Sequence, residues 1–350
     1  MRNALWLTVL MTINVSAYSS EDDNLEIWRQ QGVAEPKIQF LGVGGWLLHW
    51  HAEGLLLAPS FSNPAALGIE GLPPLWVEAD KKRIDQYMPP ASDVTLLLVG
   101  HGHYDHLLDV PWVMSRHTPK AKLYGSDSVV HMLKAMADPD RAEDDHWTRV
   151  DPARVFSAQK AMATIQTNST RPGEWIYSSG QTIRAMPIQS EHAGHILGID
   201  LVPGEYTADL TEVPTSVFKW KPGQSLAWLI DLLDDQKQPV YRIHYQDSAA
   251  SPPYGFPPVL SDCKAIDVEI LSVGSWQQVD KYPNELLKLT RPRLVLLGHW
   301  ERFFGNDPGK PESLRWQNEA GMVRAIHDSV PVGTLVRMPA PFAEIALPTA

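Results

Sequence analysis

Apolar positions fall along this chain in short runs that end abruptly in polar clusters. The plainest run is residues 94–99, Val-Thr-Leu-Leu-Leu-Val, followed at once by Gly100-His101-Gly102-His103-Tyr104-Asp105-His106. A short run rich in β-formers and nearly unbroken in apolar character predicts a strand buried on both faces. Residues 37–50 predict a long strand region broken at Gly42-x-Gly44-Gly45. Residues 54–58 predict its return, through a hairpin around Ala52-Glu53-Gly54. The same reading predicts strands over 121–124, 225–232, 240–245, 268–273, 293–297 and 335–345, with two short strands in 175–189 turning at Ser178-Ser179-Gly180. Helical spacing appears over 22–31, 283–289 and 313–328. A further helix, N-capped by Ser126, runs through Val129, Leu133 and Met136 and stops before Asp138-Pro139. Residues 60–90 predict a proline-bearing loop near a site mouth, 138–151 a charged and solvated stretch, and 205–224 a polar flap. Strands and helices alternate in both halves, which suits a sheet sandwich with helices outside.

The cluster after residue 99 has the chemistry of a metal site. In extended chain, side chains two apart share a face, so His101 and His103 point the same way. Gly100 and Gly102 loosen the backbone where the strand ends. Asp105 and His106 lie on the following turn and can reach back. Neutral imidazole and carboxylate are ligands for a borderline metal such as zinc. Other predicted strands end in the same residue types: Ser190-Glu191-His192-Ala193-Gly194-His195, Gln246-Asp247-Ser248 and Gly298-His299-Trp300. Strand ends gather at one sheet edge, so these distant positions can meet in space. His49 and His51 also stand one residue apart, but no carboxylate cluster accompanies them, and they read as surface or loop-packing histidines. Residues 251–258, Ser-Pro-Pro-Tyr-Gly-Phe-Pro-Pro, are stiffened by proline and fit either a substrate wall or a structural connection.

The run His101-x-His103-x-Asp105-His106 resembles the signature of the metallo-β-lactamase superfamily. That resemblance implies a four-layer αβ/βα sandwich with one or two metals at the sheet edges. By position in the family pattern, His101, His103 and His192 would hold one metal. Asp105, His106 and His299 would hold a second, with Asp247 between them. His195 is the runner-up to His192 and otherwise a contact for substrate or a proton donor to the leaving group. Zinc, two ions, is the implied cofactor, with manganese or iron as alternatives for an all-N/O donor set. The implied reaction is attack of metal-activated hydroxide on a carbonyl carbon or phosphorus, with Asp105 orienting it and taking its proton. The sequence Pro59-Ser60-Phe61-Ser62-Asn63-Pro64 and the Gly-His-x-His-Tyr-Asp-His run are similar to the branch holding the N-acyl-phosphatidylethanolamine-hydrolysing phospholipase D and the ascorbate-phosphate lactonases. This implies a small-molecule or lipid-like substrate with a phosphodiester, ester or lactone bond, rather than a β-lactam. The chain departs from that branch at Ala58, where an aspartate that orients the histidine loop is usual, and at Trp300-Glu301-Arg302-Phe303-Phe304, where small residues are usual. Arg302 reads either as an anion contact or as a plain salt bridge. An iron-dependent sulfur dioxygenase on the same fold, or a non-catalytic metal-binding protein, are the alternative readings.

Composition narrows the picture further. The 350 residues are 44% apolar and 20% charged, ordinary for a protein with a large core. The formal charge of −11 argues against nucleic acid as a partner, because phosphate contacts need a basic face. Cys263 is the single cysteine, so neither an internal disulfide nor a cysteine-based zinc site is available. Thirteen tryptophans is a high count, and some are expected to line a site. Arg2, the apolar stretch 4–15 and the small residues Val15-Ser16-Ala17 read as a signal peptide, too short to span a bilayer. The expected mature protein is one hydrolase domain, residues 18–350, exported to a periplasm or beyond and without a membrane span.

Overall fold

The computed structural model describes residues 25–144, 147–167, 169–194, 202–315 and 317–349. The predicted signal peptide lies outside them. Two large mixed sheets face each other. The first has the strand order Glu344–Ala346, Lys37–Gly42, Gly45–Trp50, Glu53–Leu57, Val94–Leu98, Lys122–Gly125, Val155–Ser157. The second runs Ile27–Trp28, Leu335–Pro339, Leu294–Gly298, Val268–Ser272, Pro239–Gln246, Leu226–Leu233, Ile183–Gln189, Ile176–Tyr177.

Strand periodicity explains why these runs are apolar on both faces. Leu55, Leu57, Leu96 and Leu98 join Phe40, Trp46, Trp228, Ile230, Ile243 and Leu296 in the layer between the sheets. Their sequence neighbours Leu56, Leu97 and Val99 point the other way, against Ile84, Val113, Val129 and Met132. Those four belong to helices Lys81–Tyr87, Val110–Arg116 and Asp127–Leu133, which cover the first sheet. Helices Asn284–Thr290 and Glu319–His327 pack Leu286, Leu287, Met322 and Ile326 onto the second. The result is the αβ/βα sandwich that the resemblance implied.

Glu53 joins the two sheets. Its buried carboxylate accepts from Thr95 Oγ1 at 2.9 Å, Ser178 Oγ at 2.7 Å, Gly180 N at 2.7 Å and Thr182 Oγ1 at 2.7 Å. Thr95 lies in the first sheet, and the other three lie on the turn that enters Ile183–Gln189 of the second. Burial pushes the carboxyl up, yet these donors outweigh it and hold it down at about 2.

Several expectations are corrected. Residues 25–31 form no helix: Ile27–Trp28 is a strand that pairs in parallel with Met338 and Pro339. The helix expected over 313–328 begins only at Glu319, capped by Asn318. Before it, Ser313 is bridged to Glu301 and Leu314 N is bonded to Trp300 O. The strand expected over 335–345 is two strands, Leu335–Pro339 and Glu344–Ala346, which the chain places in different sheets. The stretch 138–151 is not wholly solvated, since Trp147 and Val150 are buried. Tryptophan serves the core more than the site: Trp46, Trp147, Trp220, Trp228 and Trp300 are all fully buried.

Candidate metal centre

The buried strand Val94–Leu98 ends at a loop, and His103 sits just before the single helical turn Tyr104–Leu107. The turn directs Asp105 and His106 back toward His101. Strand Ile183–Gln189 leads to His192, strand Pro239–Gln246 to Asp247, and strand Leu294–Gly298 to His299. His299 takes a left-handed backbone with φ +52°, uncommon for a side chain with a Cβ and frequent at functional positions.

These side chains meet. His101, His103 and His192 form one group, His101, His106 and Asp247 a second, and Asp105, His106 and His299 a third. Within each group, one ligand atom per residue lies within 4.8 Å of the others. His101 Nδ1 is 2.8 Å from Asp247 Oδ2, and His106 Nδ1 is 2.9 Å from Asp247 Oδ1. His299 Nε2 is 3.2 Å from Asp105 Oδ2. All seven positions expected from the sequence to ligate are thus gathered at one edge of the sandwich. His195 lies outside the described residues. His49 is remote from the group and pairs with Asp93 at 2.8 Å.

The electrostatics suit a cation. Burial drives the Asp105 carboxyl up, but His106, His299 and His103 outweigh it and hold it well below the usual carboxylate range. Asp247 is likewise held well below by His106 and His101 against its burial. Burial pulls His106 down, and Asp247 and Asp105 overcome it, raising the imidazole to about 9. Burial and the neighbouring His106 keep His101 low. The buried His101 Nε2 has no hydrogen-bond partner, a costly state for a polar atom and the natural place for a metal bond. The donor set is nitrogen and oxygen only, with two carboxylates against five imidazoles, which fits zinc, manganese or iron.

Close approach makes glycine necessary around the cluster. A Cβ on Gly44 would lie 2.7 Å from the His106 ring, and one on Gly100 would overlap the Asp247 side chain. Three buried acids that sequence reading did not single out hold the surrounding elements. Asp109, three residues after His106, accepts from Phe61 N at 2.5 Å, Ser62 N at 2.7 Å and Ser62 Oγ at 2.5 Å. It thereby ties the ligand-bearing turn to the loop that follows Ala58. Glu301, two residues after His299, accepts from Val43 N at 2.5 Å. Glu269 pairs with His244 at 2.6 Å beneath the helices of the second sheet. The spacing of Asp109 from His106 was the one available signal.

The cluster floors a cleft of about 270 Å³ whose walls include Val217, Phe303, Phe304 and Leu314. Among the described residues, none of the proline-rich stretch 251–258 lines it, and Gly255 N is bonded to Gln189 O. Val217 from the expected flap over 205–224 does line it, as does Val202 before it. Arg302 is engaged by Glu70 at 2.6 Å and Glu312 at 2.7 Å, which makes it a salt-bridge residue. A second cleft of about 320 Å³, lined by Trp76, Trp112 and Met136, contains no histidine.

No protein-family model matches the chain, and no curated protein matches it. Solved structures align with it at low identity. Igni18, a metallo hydrolase from the archaeon Ignicoccus hospitalis, is 13% identical over 88% of this chain and 97% of that one, with a TM-score of 0.47. YhfI of Bacillus subtilis, a metallo-β-lactamase fold protein, is 10% identical over 88% and 98%, with a TM-score of 0.46. The short form of human tRNase Z is 11% identical over 89% and 99%, with a TM-score of 0.44.

Proposed function

We propose that this chain is a metal-dependent hydrolase that cleaves an ester, lactone or phosphodiester bond in a small-molecule or lipid-like substrate. The observation that carries the proposal is the convergence of seven N- and O-donor side chains, from four separate chain segments, on one cleft floor. His101, His103 and His192 would hold one ion; Asp105, His106 and His299 would hold another, with Asp247 shared. When bound, such ions supply Lewis acidity, which acidifies water and polarises the oxygen of the bond under attack. Asp105, whose Oδ2 lies 3.2 Å from His299 Nε2 on the cleft floor, would orient the attacking water and take its proton. Phe303, Phe304, Leu314 and Val217 exclude water from the wall above it and favour an apolar substituent. The apolar surface extends beyond the cleft: Val217 N bonds Leu75 O, and Leu75, Trp76 and Phe218 beside it are exposed.

Zinc is the ion we favour, and two per chain. We further propose that residues 1–17 are a signal peptide and that the mature chain begins at Tyr18, in the periplasm or outside the cell. Among the described residues no helix is long and apolar enough to cross a membrane. The test is metal analysis of the purified protein followed by turnover of bis(p-nitrophenyl) phosphate, p-nitrophenyl esters and lactones. Turnover that disappears with a chelator and returns with metal supports the reading. A fully metallated protein that turns over none of them argues against hydrolysis, and iron as the bound metal with thiol oxidation would assign redox chemistry instead.

A further inference from the structure

The turn between strands Lys37–Gly42 and Gly45–Trp50 lies against one half of the cluster. His299 N donates to Val43 O at 2.8 Å, and Val43 N donates to Glu301 Oε1 at 2.5 Å. The Tyr245 hydroxyl oxygen is 2.9 Å from Gly44 O and also contacts Asp247 Oδ1. That hydroxyl carries one proton and faces two acceptors, of which the carboxylate is the stronger. Gly44 itself has no room for a side chain, because a Cβ there would meet His106 at 2.7 Å and Asp247 Oδ1 at 3.0 Å. The turn Val43–Gly44 therefore touches His106, Asp247 and His299 together. Tyr245, Val43 and Glu301 are all buried, so no water competes for these bonds.

We infer that the Val43–Gly44 turn, clamped by Tyr245 on one side and Glu301 on the other, is the template for one ion of the pair: the ion held by Asp105, His106 and His299 with Asp247. This rests on the metal-centre reading above. Tyr245 is a positioning residue. Its O–H fixes the rotation of the Asp247 carboxylate, leaving Oδ2 to His101 Nδ1, while the turn fixes the rings of His106 and the backbone of His299. Ligand orientation set by such outer partners accounts for about 10- to 100-fold in metal affinity. The contacts of the turn fall on His106, Asp247 and His299, and His101 is linked to it through Asp247, so the two ions should respond to its loss to unequal degrees.

The experiment is calorimetric titration of the metal-free protein with Co²⁺, followed in parallel by the cobalt absorption bands. Wild type is expected to bind two equivalents. Tyr245→Phe should bind one equivalent about 10- to 100-fold more weakly and the other with a clearly smaller loss, because Asp247 also touches His101, with an unchanged far-UV circular dichroism spectrum. Gly44→Ala, which keeps the Tyr245 hydroxyl but crowds His106 and Asp247, should show the same unequal loss and serves if Tyr245→Phe does not fold. Unchanged affinity for both equivalents in a folded variant, or an equal loss of both, overturns the inference while leaving the metal centre standing. A wild-type protein that binds no Co²⁺ overturns both.

Discussion

His101 Nδ1 and Asp247 Oδ2 stand 2.8 Å apart with 146 positions between them in sequence, and both side chains are buried. The contact joins the edge of the first sheet to the edge of the second across the middle of the cluster. It places a carboxylate where it can be shared between two groups of histidines. Replacing Asp247 by Ala should therefore remove a ligand from both groups at once. We expect turnover to fall to background and the metal content to fall below one equivalent, measured by elemental analysis of the purified variant.

His103→Ala and Asp105→Ala should also abolish turnover, by removing a ligand from one group each. Neither side chain contributes to the apolar layers, so the fold should survive. Circular dichroism and thermal unfolding in the presence of chelator check that survival. A variant that keeps full activity contradicts the mechanism.

Gly100 approaches Asp247 so closely that a methyl group there displaces it. Gly100→Ala should lower stability by about 1–3 kcal/mol, as overpacking does in a dense interior. It should also weaken metal retention under dialysis. Thermal unfolding and metal content measured on the same sample check both.

Asp109 is expected to be structural. Its carboxylate accepts two backbone N–H groups and one hydroxyl from Phe61 and Ser62. In Asp109→Ala those buried donors lose their acceptor, at about 1–3 kcal/mol for each group left unsatisfied. The expected result is a lower unfolding temperature, and a looser loop after Ala58 visible as faster amide exchange at Phe61 and Ser62.

Glu53 gives the pH dependence. Its folded value of about 2 lies below its ordinary 4.5. Its stabilising contribution is therefore complete above about pH 4.5 and is lost as pH falls from there toward about 2. Glu53→Gln should be less stable than wild type by about 2 kcal/mol at pH 7, since it weakens hydrogen bonds to a charged acceptor. The gap should narrow as pH falls through that window. Calorimetric unfolding of both proteins at pH 7 and pH 3 tests it.

Much of the site was legible before the fold was known. A buried run such as 94–98 stops where its hydrophobicity stops, so the residue after it must lie at a sheet edge. That logic brought His101, Asp247, His299 and the pair His192 and His195 into view, and the family resemblance chose among them. What the chain does not announce is long-range pairing. Ile27–Trp28 becomes a strand only because Met338 and Pro339, more than 300 positions away, offer an edge. Residues 335–345 read as one strand, yet the chain crosses between sheets after Pro339, where Ala340 N bonds Trp28 O and Phe342 N bonds Phe40 O. The supporting acids were equally silent. Asp109, Glu301 and Glu53 look like surface residues by type, and only their burial and their donors mark them otherwise. Ala58 removes the acid that the resemblance led one to expect, and the surrounding loops are held by Asp109 and Glu301.

The central claim is that the converged side chains bind metal for hydrolysis. Metal content of the purified protein, determined alongside its esterase and phosphodiesterase rates, tests that claim most directly. About two equivalents of zinc or a similar ion, with turnover lost on chelation and regained on adding metal back, is the result this account predicts. Undiminished turnover in protein stripped of metal would contradict it.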